Sequence, residues 1–285
     1  MNTVSATAVL GNDDDTGHHR ALAGFVVLEG GGMKRVATFL LVSLGLAAMV
    51  GIALEYRFGY VTGYQPAGGY PMVRSPSLFL DLKELVGLQK FYSQFGQDKW
   101  ILGKVFPRVA DGYFVDVGAF DAEIDSNSKA LEERGWTGVC IEPFPRNWTN
   151  RTCQLFKEVV YSKTGETIRF RQADILGGID TLIDRHKAEV ASSPVVELTT
   201  TTLGDVLDRA KAPKFIHFIS IDTEGSELEI LKGLPFTKYT VGAFAIEHNH
   251  EEPKRQQIRA LLEANGYRFA QEQLVDDWYV LRTLP

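Results

Sequence analysis

From Phe91 to the C-terminal end, short apolar runs alternate with stretches whose apolar residues recur at helical spacing, the pattern of parallel strands joined by crossover helices. Strands are predicted at Tyr113–Val117, 138–141, Phe215–Ile221 and 242–247. Helices are predicted over 94–106, 126–134, 202–210, 227–233 and 253–265, with Gly266 placed where a helix C-terminus accepts the left-handed conformation. The alternation then breaks. Residues 267–271 and 278–282 are two strand-like runs with no helix between them, hence an antiparallel pair at the sheet's edge. The fold class read from this pattern is α/β with a doubly wound sheet, and such sheets bind ligands at the carboxyl ends of their strands.

The N-terminal part reads differently. Residues 36–54 form a run of 19 without a charge, apolar around the whole helical circumference and about as long as a bilayer's hydrocarbon is thick. They predict one transmembrane helix and a single-pass membrane protein. A cleaved secretory signal is the rival, with Lys34 and Arg35 as its basic start and Gly51, Ile52 and Ala53 near a cut. Those two cations favour a cytoplasmic N-terminus, while Arg57 on the other flank weakens the bias. Residues 1–35 are polar, with Asp13, Asp14, Asp15, His18 and His19, and are expected to be a tail without a fold. They are also open to being a mis-assigned start, since Met33-Lys34-Arg35 resembles the beginning of a targeted chain. Residues 55–90, rich in Gly and Pro, predict a linker with a short helix over 81–89, which leaves 91–285 as the compact domain.

Composition removes several classes. Thirty basic against 36 acidic residues give a formal net charge of −6, without a Lys/Arg block, so a nucleic-acid surface is not expected. Two cysteines, Cys140 and Cys153, lack the paired spacing of a structural zinc site and are too few for a disulfide scaffold. In an exported domain a bond between them is chemically permissible, and the sequons at Asn147 and Asn150 become relevant; in a cytosolic domain both are incidental.

Chemistry is expected just after each strand. The first is followed by Asp116-Val117-Gly118-Ala119-Phe120-Asp121, a strand–acid–glycine–turn in which glycine permits close backbone approach to a ligand. Phe120 and Glu123 stand where a dinucleotide fingerprint requires glycine, which disfavours nicotinamide chemistry. The second strand ends in Glu142, suited to accepting two hydrogen bonds from a ribose diol. Asp222, Glu224 and Glu227 crowd the end of the next strand, more acids than helix stabilisation requires. Glu247, His248 and Asn249 follow the strand after that, where His248 is a candidate general base. His217, alternating inside an apolar strand, reads as a core residue. The carboxylate and histidine spacing does not specify a metal, and none is assigned.

Taken together, YSQFGQD, GYFVDVGAFD, GVCIEP, FISIDTEGSELEILKGL, AIEHNH and DDWYV resemble the FkbM family of S-adenosylmethionine-dependent methyltransferases over about residues 91–282. The resemblance implies a class I methyltransferase, Rossmann-like sheet of seven strands with an antiparallel final strand. It also implies methyl transfer to a hydroxyl of a sugar, polysaccharide or natural-product acceptor. By the same resemblance Asp116, Gly118 and Ala119 line the S-adenosylmethionine site and Glu142 holds its ribose hydroxyls. Asp222, Glu224, Glu247 and His248 then face the methyl group and acceptor. The turn departs from a glycine-rich loop, so Asp121 or Ser126 is expected to hold the cofactor's amino acid end, and Tyr161 and Ser162 are candidates beside the adenine. The base is His248 or Asp222. The alternatives are a membrane-anchored interaction protein that keeps this fold without the chemistry, and a membrane-anchored glycosyltransferase, for which an Asp-x-Asp site after a strand is missing.

Overall fold

The computed structural model describes residues 89–284. In chain order its strands are β1 (Tyr113–Val117), β2 (Thr137–Ile141), β3 (Gln154–Phe156), β4 (Val159–Tyr161), β5 (Thr167–Arg171), β6 (Gly178–Ile179), β7 (Val195–Thr202), β8 (Phe215–Ile221), β9 (Thr240–Glu247), β10 (Tyr267–Gln273) and β11 (Asp276–Leu281). The helices are α1 (Gln97–Trp100), α2 (Lys129–Glu133), α3 (Leu203–Arg209), α4 (Glu227–Lys232) and α5 (Glu252–Ala264).

Successive side chains of a strand point to opposite faces, and the central strands use this to feed two apolar layers. Val115 and Val117 of β1, Val139 and Ile141 of β2, and Ile219 and Ile221 of β8 enter one layer, which packs against α3, α4 and α5 through Leu203, Leu207, Ile230, Leu231, Ile258 and Leu262. Phe114, Cys140 and Phe218 enter the other, with Trp100, Ile101, Leu131 and Trp136. Burial on both faces explains why these strands are almost continuously apolar.

The larger sheet runs β10-β11-β9-β8-β1-β2-β3. β3, β2, β1, β8 and β9 are parallel, and β11 is antiparallel to both β9 and β10. The predicted edge pair is present, and its second strand lies inside, between β9 and β10. The final strand is thus the reversed one. The order also sets the carboxyl ends of β9, β8, β1 and β2 side by side. A second sheet, β4-β7-β5-β6, stands beyond them; its strands are short or exposed on alternate residues and were not among those predicted.

Several helices are shorter than their patterns suggest. The stretch predicted over 94–106 is α1 followed by a wide π turn at Ile101–Val105. α3 starts at Leu203 because the Thr202 hydroxyl accepts from the Asp205 backbone N–H at 3.1 Å, an N-terminal cap. Among the described residues no helix is long and apolar enough to cross a membrane. The expected span at 36–54, the tail 1–35 and nearly all of the linker 55–90 lie outside the described residues.

Candidate functional site

At the end of β1 the chain turns through Gly118, whose φ is +86°. A Cβ there would stand 1.6 Å from the carbonyl oxygen of Asp222. Only glycine lets the loops after β1 and β8 meet this closely. Gly118 N–H donates to Ile141 O of β2 at 2.9 Å, and Asp222 N–H ties the loop after β8 to Val117 O of β1 at 3.0 Å. The loop after β8 is held from below by Glu227, whose Oε1 accepts from Thr223 N–H, Thr223 Oγ1 and Gly225 N–H at 3.2, 3.0 and 2.9 Å. Its Oε2 accepts from Lys254 at 2.7 Å. Glu227 is therefore a structural acid, consistent with its place in the first turn of α4.

Over these strand ends lies a cleft of about 330 Å³. Asp116, Gly118, Ala119, Asp121, Ser126, Glu142, Asp222 and Glu224 line it, so most of the residues singled out from sequence converge. Asp116 is buried and accepts from the Ser128 hydroxyl, which in turn accepts from Arg151 Nη2 at 2.7 Å. Burial raises the Asp116 pKa, and the Ser128 bond offsets part of that. Glu142 is 8% exposed and accepts from Phe144 N–H at 2.8 Å. Burial pushes its pKa up to about 7, against the backbone N–H groups of Phe144 and Phe120, with the Asp116 charge adding to the rise.

The acids after β8 and β9 form one group. Burial, then the negative charges of Asp276, Glu224 and Glu227, hold Asp222 well above the usual carboxylate range. Burial and the Asp222 charge do the same to Glu247. Glu224, in a left-handed conformation with φ +55°, is pushed up to about 7 by burial, with the His186 charge opposing. Asp222 keeps part of its surface open to the cleft, Glu224 lines it while mostly buried, and Glu247, expected to face the acceptor, is buried behind them and is not among the lining residues.

Three further sequence expectations are corrected. His248 is 1% exposed and is not among the residues lining the cleft. Its Nδ1 accepts from His250 N–H at 3.0 Å, which leaves the proton of the neutral ring on Nε2, facing Asp277 Oδ1 at 3.6 Å. Burial lowers its pKa. It packs the β9–β11 junction and is not positioned as a base. Asp121 does line the cleft, but Oδ1 accepts from the N–H groups of Glu123 and Ile124, each at 3.0 Å, and Oδ2 from Arg146 at 3.1 Å and Asn147 at 2.9 Å. Four bonds fill its lone pairs. Burial alone would raise its pKa; the donors overcome that and hold it down at about 2. Its role is to fasten the turn to residues 146–147. Ser162 follows β4 in the second sheet, where it bonds Tyr161 and Glu229, and neither Ser162 nor Tyr161 lines the cleft.

The structure adds residues that sequence reasoning missed. Phe144 and Phe170 stand 5.6 Å apart between ring centroids and make an apolar end with Ile141, Val160 and Ile179, next to Glu142. Phe144 lies two residues beyond Glu142 and was within reach of a local reading; Phe170 comes from β5 and carried no local signal. Asn127 is buried, donates through Nδ2 to Ser220 Oγ at 2.9 Å, and leaves Oδ1 without a partner. Cys140 and Cys153 are paired as a disulfide that joins β2 to the segment leading into β3.

Compared with known families, residues 116–269 match the methyltransferase FkbM domain. That is more than half of the chain and runs from the end of β1 through β9, with nearly all of the cleft's lining. No curated protein matches it.

Proposed function

From the premise that this chain belongs to the FkbM methyltransferase family, we propose that it is an S-adenosylmethionine-dependent O-methyltransferase acting on a hydroxyl of a sugar, polysaccharide or natural-product acceptor. The observation that carries this reading is the ordered cleft: an apolar aromatic end, then Glu142, then the Gly118 turn, then the acids after β8. These residues fit the cofactor. Phe144, Phe170 and Ile179 suit a flat heteroaromatic base, Glu142 suits a vicinal diol, and Gly118 admits the backbone close to the ligand. The buried, unpartnered Oδ1 of Asn127 and the Asp116 carboxylate supply acceptors for an ammonium group.

When bound there, the cofactor supplies a sulfonium-activated methyl group. The chain's own part is to hold the two reactants in line, which substitutes binding for a costly encounter in solution. Glu142 fixes the ribose, and the Gly118 turn fixes the amino acid end. Asp222, open to the cleft with Glu224 beside it, takes the proton from the acceptor hydroxyl as its oxygen attacks. The apolar run 36–54 anchors the domain to a membrane in this reading, which brings it to acceptors at that surface.

Calorimetric titration of the full chain with S-adenosylmethionine and its demethylated product tests the proposal. Micromolar binding that Glu142→Ala abolishes is expected. A folded chain that binds neither would refute the enzyme reading in favour of a scaffold that kept the fold and lost the chemistry.

A further inference from the structure

Asp222, Glu224 and Glu247 each place a carboxylate oxygen within 4.8 Å of the other two. Two come from the loop after β8 and one from the end of β9, so the sheet order itself assembles them. Like charges at this spacing repel unless something neutralises them. The nearest lysine is committed elsewhere, since Lys254 donates to Asp184 at 2.9 Å and to Glu227 at 2.7 Å, and the charges of His186 and Arg185 act on Glu224 without an ion pair to it. The amides give little more, with Gln97 bonded to Asp276 at 2.7 Å and Asn249 reaching Glu224 only at 3.3 Å. A separate observation points to a missing partner: Glu247 is 5% exposed, its side chain meets the Asp222 carboxyl, and no other group donates to its Oε2. A buried carboxylate oxygen in that condition is rare and calls for a ligand.

We propose that Asp222, Glu224 and Glu247 form an all-oxygen site for a hard divalent cation of the Mg²⁺ or Mn²⁺ class. Carboxylate oxygens without nitrogen or sulfur select such ions over softer ones. Opposed ligands of Mg²⁺ are about 4.1 Å apart and those of Ca²⁺ about 5 Å. Adjacent ligands of Mg²⁺ are only about 2.9 Å apart, so three oxygens within 4.8 Å of one another share one such ion by drawing in around it. Asn249 orients Glu224 from behind, as supporting residues of metal ligands do. Because Asp222 is the member open to the cleft, the remaining coordination positions face the cleft, where an acceptor hydroxyl would bind and be acidified. That last assignment rests on the methyl-transfer reading; the cation site does not.

The test is titration of the full chain with Mn²⁺ at near-neutral pH, followed by loss of the free-ion electron paramagnetic resonance signal. Binding of the demethylated cofactor is measured calorimetrically on the same sample. One Mn²⁺ per chain, displaced by Mg²⁺, is expected. Glu247→Gln and Glu224→Gln, each confirmed as folded by circular dichroism, should each weaken it at least about tenfold. His250→Gln, which alters the separate cluster of His248, His250 and Glu272, should leave Mn²⁺ binding unchanged. A folded wild-type chain that binds the nucleoside product but no Mn²⁺ overturns the cation site alone. Mn²⁺ binding without nucleoside binding overturns the methyl-transfer reading alone. Mn²⁺ affinity that survives both glutamine variants or falls with His250→Gln also overturns the site.

Discussion

Changing pH between 6 and 8 should alter cofactor affinity through Glu142, the carboxylate placed at the ribose diol. Its pKa is raised from 4.5 to about 7, so it is only about 9% ionised at pH 6 and about 91% at pH 8, a tenfold span by the mass-action relation between pH and pKa. The ribose hydroxyls donate to the ionised form. The dissociation constant for the demethylated cofactor should therefore fall about tenfold over this interval and level off above it. Stability runs the opposite way. An acid whose folded pKa lies above its unfolded one binds more protons when folded, so its contribution is fullest below about pH 4.5 and is lost as pH rises through about 7. The window is worth on the order of 3 kcal/mol, at 1.36 kcal/mol per unit. Glu142→Gln should then bind the product more weakly at pH 8 while resisting urea better than the wild type there. Calorimetry and urea denaturation at both pH values measure the two effects. A wild-type affinity that is flat between pH 6 and 8, or a glutamine variant with the wild-type slope, would refute the reasoning.

Three further outcomes are expected. Gly118→Ala should cost several kcal/mol in urea denaturation and abolish product binding, whereas Gly266→Ala, at a similar φ of +90° but with no atom within 4 Å, should cost only about 1–2 kcal/mol; equal costs would show that the approach of the two loops is not what requires Gly118. Arg151, with a side chain 0% exposed and bonded to Glu132 at 2.7 Å, leaves a buried acid unpaired when replaced, so Arg151→Met should lower the unfolding free energy by about 3–5 kcal/mol, and a loss below about 1 kcal/mol would contradict the pair's isolation from solvent. His248→Gln should lower the melting temperature and leave product affinity unchanged, and a folded, binding-competent variant that had lost turnover would restore His248 as the base.

How much of this was readable in advance depended on how local the cause is. β1, β8 and the carboxylates that follow them were legible because buried parallel strands are apolar runs and the ligand crevice lies at their ends. Asp116, Gly118, Glu142, Asp222 and Glu224 followed from that rule. His248 sits one residue beyond Glu247 on the same strand end, and position along the chain could not show that the ring turns to the β11 side, where Asp277 waits. Asp121 was judged by residue type, but the N–H groups of Glu123 and Ile124 take its Oδ1, and Arg146 and Asn147, about 25 residues later, take its Oδ2. Ser162 failed as a candidate because β4 belongs to a second sheet whose polar, alternating strands left no clear pattern.

The same distinction explains why the acids at the centre are concentrated. A group of carboxylates buried together opposes folding, and natural chains retain such a group where it performs chemistry. Here the surrounding chain has been arranged to hold it. Glu227 gives up both oxygens to bind the loop backbone and Lys254. Arg151 and Ser128 brace Asp116 from the side away from the cleft. The Cys140–Cys153 bond fixes the strand that ends in Glu142. None of these supports pairs with Asp222, Glu224 or Glu247, of which Glu224 feels the charges of His186 and Arg185 and Glu247 keeps a bare oxygen. Glu227 is thus paired with Lys254, and Asp277 with Arg255 and Arg259, whereas Asp222, Glu224 and Glu247 have no ion pair among the described residues, and the bare Glu247 oxygen marks where this group lacks a partner.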